Sequence, residues 1–559
     1  MRQRASTWAP VVWSLVLAAL LLGPALGRGF VLTYDMVWVP DLAVRPDAWG
    51  LGSGLPRAVP SDAVVALLDE AVPGALLQKL VLLGSLVAGG TGAARLVPGQ
   101  SLMARLVAVS VYQWTPFVAE RLLLGAWPVM VAHGLLPWVV LLGRRWRETG
   151  RVPAALLVVV PLASLSASAG VATAVVLVAA VAGPRATTTR AAALLVAANA
   201  PWVVTGLLHV RDATSDRAGA EVFALHGHGA LPAPLEALVL GGTWNSQVVL
   251  PSRDGVLAWV GLILALSLLL AVRGWWRATG RRDGLGLVVP WVVGLALALT
   301  TWAATGVVAA LAGSVPGGGL LRDGARSLVM CAPLLAALAG HAAGRLTALV
   351  AARTTDAAPR LVLGAGLTLL PVMLMPDAAL GLGGRLQPVE YPASYAAARA
   401  AAAGVPGDAL VLPLTTYRAP GWNGRRPVLD PMPRWLVQDV VASDRLVVGT
   451  TTLDGEDPLV DEAGAALAAP TAQARARVLA ALGFGVVVTE ADAGDAPDVA
   501  GRVLLDDGAV RVVSLDAPEP RRVPRSWVGA AVLAWAAYAA GPLLGLLLGL
   551  RAARRRRNS

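Results

Sequence analysis

Trp13-Ser14-Leu15-Val16-Leu17-Ala18-Ala19-Leu20-Leu21-Leu22-Gly23-Pro24-Ala25-Leu26 follows Arg2 and Arg4 and leads within nine residues to Asp35. An apolar run with basic residues before it reads as a membrane helix whose start stays in the cytoplasm. A cleaved signal peptide is the competing reading, because Ala25-Leu26-Gly27 is loosely cleavable. Further apolar runs follow at about 76–94, 101–117, 123–143, 152–166, 167–183, 188–208, 255–272, 285–312, 328–350, 360–376 and 527–550. A helix needs about 20 apolar residues to cross the hydrocarbon core. The pair within 152–183 is the weakest, being one run broken by Pro161, Ser164, Ser166 and Ser168.

Composition agrees with that pattern. The 559 residues are 56% hydrophobic and 14% charged, with mean hydropathy +0.65. Soluble domains carry about 25% charged residues, so a soluble enzyme is excluded. The net charge of +11 invites nucleic-acid binding, but the arginines sit in short clusters between apolar runs, where membrane topology is written. No nucleic-acid partner is expected. Lys79 is the single lysine, and the single cysteine, Cys331, lies in an apolar run. A disulfide framework and a cysteine metal site are thereby excluded.

The arginine clusters fix an expected topology. Arg2 and Arg4, Arg144 to Arg151, Arg185 and Arg190, Arg273 to Arg282, Arg345 to Arg360 and Arg551 to Arg557 all belong in the cytoplasm. Twelve spans with both termini inside put them there, provided 152–183 is a hairpin. The expected architecture is an α-helical polytopic plasma-membrane protein of about 12 helices. Residues 1–376 form the membrane domain, 377–526 a small extracytoplasmic α/β domain, and 527–559 a last helix with a basic tail. The outer face then carries 28–75, 113–122, 209–254 and 377–526, and function is sought there.

Segment 377–526 has ordinary polarity. Ala393 to Ala403 and Thr471 to Leu482 read as helices. Ala409 to Leu414 and Phe484 to Thr489 read as buried strands. Val503 to Leu505 and Val510 to Leu515 read as a hairpin around Asp506-Asp507-Gly508. Strands alternating with helices predict a small α/β unit. It has no Gly-rich phosphate loop. Tyr417, Trp422 and Asn423 lie in a loop with Arg418, Arg425 and Arg426, a composition that stacks on sugar rings and bonds their hydroxyls. A solvated turn with one packed Trp is the alternative.

Asp35 follows the first span among Tyr34, Met36 and Trp38, where desolvation would raise its basicity. It is a candidate base toward a hydroxyl; the alternatives are an N-cap or a pair with Arg45 or Arg57. Asp41 is the second candidate. Ser61 reads as an N-cap for Ala63 to Leu76, and Asp69-Glu70 as the wet face of that stretch. Trp114, Glu120 and Arg121 lie in the second outer loop. Ionisable residues there are costly and are functional or paired. Arg121 is a candidate phosphate ligand through a bidentate contact, against a mutual pair with Glu120. Arg322 and Arg326 run against the inside-positive bias and are further phosphate candidates, against a pair with Asp323. His226 and His228 have poor spacing for a metal.

Together Tyr34-Asp35, Trp114-Thr115-Pro116-Phe117-Val118-Ala119-Glu120-Arg121-Leu122, Leu136-Pro137-Trp138, and Tyr391 to Arg399 with Val411-Leu412-Pro413 resemble the C-type (GT-C) membrane glycosyltransferases. The resemblance is closer to the actinobacterial cell-envelope arabinofuranosyltransferases. Relatives are expected to have Asn where this chain has Thr115. This sequence is expected to be without the large carbohydrate-binding extensions of the long arabinosyltransferases, and its first loop has no acidic pair beside the span unless Asp69-Glu70 folds back.

The resemblance implies a retained first span and transfer of a sugar, arabinofuranose among the candidates, with inversion on the outer face. It implies a polyprenyl-phosphate sugar donor, a cell-envelope glycan or lipid acceptor, and contact with membrane lipids. Asp35 becomes the base with Asp41 in reserve. Arg121, Arg322 and Arg326 hold the donor phosphate, and Glu120, Trp114, Tyr417, Trp422 and Asn423 contact substrate. No cofactor is required if arginines supply the charge, although a divalent cation is compatible. Two other classes compete. A lipid-linked glycan transporter or flippase would show repeats and charges inside its spans. A non-catalytic glycan-binding scaffold would leave the first-loop carboxylates far from any groove.

Overall fold

The computed structural model describes residues 2–99, 101–183 and 185–557. The last two residues of the basic tail lie outside them. Among the described residues seven helices are long and apolar enough to cross a membrane, or nine if two bent pairs are each one span. The seven are Trp8–Leu26, Gly74–Leu96, Trp127–Thr149, Ala186–Leu208, Arg281–Ala303, Ala332–Arg353 and Arg525–Arg555. The bent pairs are Val256–Ser267 with Leu269–Thr279, and Ala358–Leu374 with Pro376–Gly384. Their outward faces carry bare Leu270, Val362 and Leu533, which lipid rather than water would cover. The chain is a multi-pass membrane protein.

Among the described residues the twelve apolar runs thus yield seven span-length helices, or nine with each bent pair counted as one span. The other three runs make shorter helices: Leu102–Gln113, Ala154–Leu162 and Ala167–Val181. The first stops where Trp114-Thr115-Pro116 opens a new helix, Pro116–Leu123. In the 152–183 run the break is sewn up by side chains. Ser164 Oγ donates to the Val160 carbonyl at 2.9 Å, and Thr173 Oγ1 to that of Ala163 at 2.8 Å. Irregular backbone at membrane depth survives only when so satisfied inside protein.

One end of the bundle is tied by arginines. Arg144 Nη2 donates to the Asp283 carbonyl at 2.9 Å, and Arg147 Nη1 to that of Ala180 at 2.9 Å. Three of the arginine-bearing connections therefore meet.

The α/β unit has a five-stranded sheet in the order 502–506, 510–514, 484–490, 408–412, 440–441. Asp408–Leu412 is parallel to both neighbours, while Val510–Ser514 is antiparallel to both of its own. Strand residues alternate between faces, and the two faces serve different cores. Leu410, Leu412, Val487 and Val513 pack with Val460, Ala463 and Leu479 of helices Pro458–Leu467 and Ala472–Ala481. Ala409, Val411, Val486 and Val488 share a core with Tyr395 and Ala398, and with Leu17, Leu32 and Met36 of the first span and loop. The membrane helix and the sheet are therefore one hydrophobic body.

Backbone pairing reinforces this. Phe30–Val31 pairs antiparallel with Pro388–Val389, which follows a left-handed turn over Leu380 to Gly384. The first span abuts that turn at Gly23, whose φ is +48° and whose Cβ position lies 2.6 Å from the Gly381 amide nitrogen. Only glycine fits such an approach at that dihedral.

Two sequence readings in the first loop are corrected. Ser61 does not cap its helix; its hydroxyl donates to the Ala58 carbonyl at 2.8 Å, and Pro60 holds the N-cap position. Asp69 is not wholly on a wet face, since it accepts the Leu42 amide at 2.8 Å. Burial, with Asp41 and Glu70 nearby, pushes its carboxyl up to about 6.

Candidate functional site

Thr33 and Met36 exchange backbone hydrogen bonds, at 3.3 and 2.8 Å, and close a tight turn whose two tip residues are Tyr34 and Asp35. Tyr34 adopts φ +40°, a left-handed conformation uncommon outside glycine. Neighbouring segments hold it there. Tyr34 donates its amide to Pro427 at 2.7 Å and accepts that of Leu429 at 2.8 Å. Asp35 donates its amide to the Leu124 carbonyl at 3.1 Å, and Thr33 Oγ1 donates to that of Leu123 at 2.7 Å. Gly125 lies so close that a Cβ there would stand 2.3 Å from Met36 N and Thr33 O.

Strand Val428–Leu429 pairs with Tyr34 on one side and with Tyr417–Arg418 on the other. That register brings Tyr417 to Asp35, whose Oδ1 accepts its hydroxyl. Burial, and then Asp35 itself, holds the Tyr417 phenol well above its ordinary pKa. The phenol therefore stays protonated and acts as a donor. Arg326 is close enough for its charge to act on both residues.

Arg326 Nε lies 2.7 Å from Asp323 Oδ2, and Arg121 Nη1 lies 3.5 Å from the same oxygen. Arg121 is 1% exposed, and its Nε and Nη2 have no partner among the described residues. It stands on Pro116–Leu123, capped by Thr115, whose hydroxyl accepts the Val118 amide at 3.3 Å. Thr is a sound N-cap and Pro a favoured first helical residue, so Thr115 serves where Asn was expected. Tyr417 and Asp35 are thus bonded to each other, Arg326 and Arg121 to Asp323, and the Arg326 charge couples the two pairs.

A second polar group adjoins it. Arg57 lies 2.7 Å from Glu456 and 3.1 Å from Asp444, and its charge acts on Tyr417. Arg322 lies 3.7 Å from Glu456 and packs over the Phe223 ring at 4.8 Å. Its connection to Asp35 runs through Glu456, Arg57 and Tyr417, so it is not beside it.

Other expected residues have other surroundings. Asp41 is 60% exposed and pairs with Arg399 at 2.6 Å, so it shares no partner with Asp35. Trp114 is buried and donates its indole N–H to the Met375 carbonyl at 2.8 Å. Asn423 is fully buried; its amide donates to Leu32 and Arg426 carbonyls, and its oxygen accepts from Arg426. Neither Trp114 nor Asn423 has a face left for a ligand. Trp422 is half-buried against Tyr391 and Tyr395. The alternative reading of Asp35 paired it with Arg45 or Arg57, which instead pair with Asp47, Asp444 and Glu456, and Asp323 was read only as a partner of its neighbours. Nothing local signals the approach of Tyr417, which is 382 residues away.

Glu120 is 4% exposed. It faces the Glu236–Arg253 pair, which is closed at 2.9 Å. Burial outweighs Arg121 and Arg253 and, helped by Glu236, raises its carboxyl to about 8. A raised carboxyl means the folded chain binds the extra proton, so the stability it contributes is complete below about pH 4.5 and is lost as pH rises through about 8. Glu120→Gln, a mimic of the protonated form, is expected to flatten this loss. Thermal unfolding between pH 6 and pH 9 should show the variant falling less than the parent.

His226 and His228 stack on each other; His226 Nδ1 faces the Ala224 carbonyl and His228 Nε2 that of Trp244. Among the described residues no three His, Cys, Asp or Glu side chains converge closely enough to hold a metal ion.

No family model matches the chain, and no curated protein matches it. Solved structures do. The single-particle cryo-EM structure of the arabinofuranosyltransferase AftD from Mycobacteria is similar over 93% of this chain, at TM-score 0.51 and 16% identity. A mutant of that protein is similar over 91%, at TM-score 0.53 and 18% identity. The chain spans 40% and 41% of the lengths of those proteins. At such identity the likeness is one of fold, and the fold is the one the sequence resemblance implied.

Proposed function

We propose that the chain is an integral membrane glycosyltransferase that moves a sugar from a polyprenyl-phosphate carrier to a cell-envelope glycan or lipid on the outer face. The fold shared with an arabinofuranosyltransferase supports this class and makes arabinofuranose the first sugar to test. The observation that carries the reading is Arg121, a buried guanidinium with two unpaired nitrogens, joined through Asp323 to Arg326, whose charge acts on Asp35. Each unmet buried donor costs about 1–3 kcal/mol. An anionic phosphate oxygen meets that demand bidentately.

Asp35 takes the proton of the attacking hydroxyl while its oxygen bonds to the anomeric carbon. The bond from that carbon to the phosphate oxygen breaks, and the electron pair leaves with the lipid phosphate. Arg121 and Arg326 stabilise the growing charge in a poorly solvated site. Tyr417 aims the carboxylate. The membrane holds the donor in place, so orientation lowers the barrier further.

The test is a cell-free assay with radiolabelled polyprenyl-phosphate pentose and hexose. Arg121→Gln and Arg326→Gln are each expected to lower kcat/KM for donor by about 10²–10³, the size of losing one oxyanion donor. Transfer unchanged by both variants would remove the phosphate role.

A further inference from the structure

Beyond Arg57 the first loop and the sheet edge enclose a cleft of about 220 Å³. One wall is the glycine-punctuated stretch from Leu42 to Asp62; the other is the edge strand Val440–Val441 with Asp444 and Asp457. Four carboxylates line it, and each is already fixed. Asp47 meets Arg45 at 2.8 Å, and Asp62 meets Arg434 at 2.8 Å. Asp444 meets Arg57 at 3.1 Å, and Asp457 accepts the Ser53 hydroxyl at 2.7 Å.

A carboxylate offers about four acceptor sites, so each retains capacity. Against four acidic groups the lining has two basic ones, Arg45 and Arg57, with Arg434 paired to Asp62 behind it. This excess of negative charge repels phosphate and acidic headgroups. Carboxylates already anchored, three by arginines and Asp457 by Ser53, also suit a cation poorly. Rigid acceptors, a few guanidinium donors, and apolar Leu42, Pro56 and Val440 between them suit a neutral polyhydroxylated ring. Arg57 forms part of this wall and its charge also acts on Tyr417, so the cleft lies within electrostatic reach of the residue that bonds Asp35.

We propose that this cleft binds the glycan acceptor, gripping a neutral sugar unit behind the one whose hydroxyl meets Asp35. The proposal rests on the glycosyltransferase reading and specifies its acceptor: a neutral carbohydrate chain at least two units long, not a phosphorylated headgroup.

The test uses the full chain in lipid nanodiscs, a neutral synthetic pentose tetrasaccharide as probe, and inorganic phosphate as competitor. Ala442→Trp and Ala43→Trp fill the cleft from opposite walls, and Asp444→Asn removes one charge while keeping the shape. Saturation-transfer NMR should show the tetrasaccharide bound to the parent, undisturbed by phosphate, and lost in both Trp variants. In the transfer assay acceptor KM should rise at least tenfold in these variants, with donor KM and slow donor hydrolysis by water unchanged. Retained melting temperature separates filling from misfolding, and Asp444→Asn should give a smaller KM rise at full stability. Equal tetrasaccharide binding by the parent and both Trp variants, or displacement by phosphate, overturns the proposal. Binding lost in the Trp variants, with no transfer by the parent to any acceptor, keeps the cleft and removes the transferase reading. Transfer with unchanged acceptor KM in those variants does the reverse.

Discussion

Asp35→Asn is expected to abolish measurable sugar transfer while leaving the fold intact. A positioned general base contributes about 10²–10⁴ in rate, and Asn offers no basic site. The substitution is otherwise mild. The side-chain oxygen of Asn accepts the Tyr417 hydroxyl as Oδ1 does now. The backbone bonds from residue 35 to Leu124 and from Tyr34 to Pro427 involve no side chain. The measurement pairs the radiolabelled transfer assay with thermal unfolding. A melting temperature within a degree of the parent, with transfer down at least a hundredfold, is the expected pair. Full transfer by a folded Asp35→Asn chain would remove Asp35 from the chemistry. Tyr417→Phe should cost less, because it leaves the base present but no longer aimed.

The largest stability effect is expected at Arg418→Met. Arg418 is buried in the α/β unit among Asp430 at 3.3 Å, Asp492 at 2.5 Å, and Glu490. Glu490 also accepts the Tyr395 hydroxyl at 2.6 Å. Burial, and then Glu490, already pushes the Asp430 carboxyl up to about 7. Taking away the one guanidinium leaves buried carboxylates uncompensated, which costs about 3–5 kcal/mol. For a unit of this size that lowers the midpoint by about 10 °C. Differential scanning fluorimetry of the full chain in detergent reads it. Arg418→Lys should fall between, keeping the charge but losing the planar fork. The loss should also depend on pH, because carboxylates that protonate more readily relieve the strain as pH falls. A midpoint moved by less than 2 °C would show that the network stabilises little.

How much of this was legible beforehand differs by residue. The helices 393–402 and 472–481 and the strands 408–412, 484–490 and 510–514 lie within a residue or two of where periodicity puts them, because buried apolar runs impose their own pattern. The Asp323–Arg326 pair was visible because its members are three residues apart. The partner of Asp41 was not visible, since Arg399 reaches it across 358 residues. Trp114 and Asn423 carry chemistry suited to sugar, yet tertiary packing turns both inward, and residue type alone does not encode that choice.

By itself, the sequence determined the membrane class, the arginine-marked connections and the strand–helix order of the α/β unit. These follow from local hydrophobic length and period, which act within one segment. Only the tertiary structure decided which of the twelve runs reach span length, and that Asp35 meets Tyr417 and lies in the field of Arg326. Those depend on strand register and on helices that end early, so they are settled by contacts between distant segments whose free energy no single stretch contains.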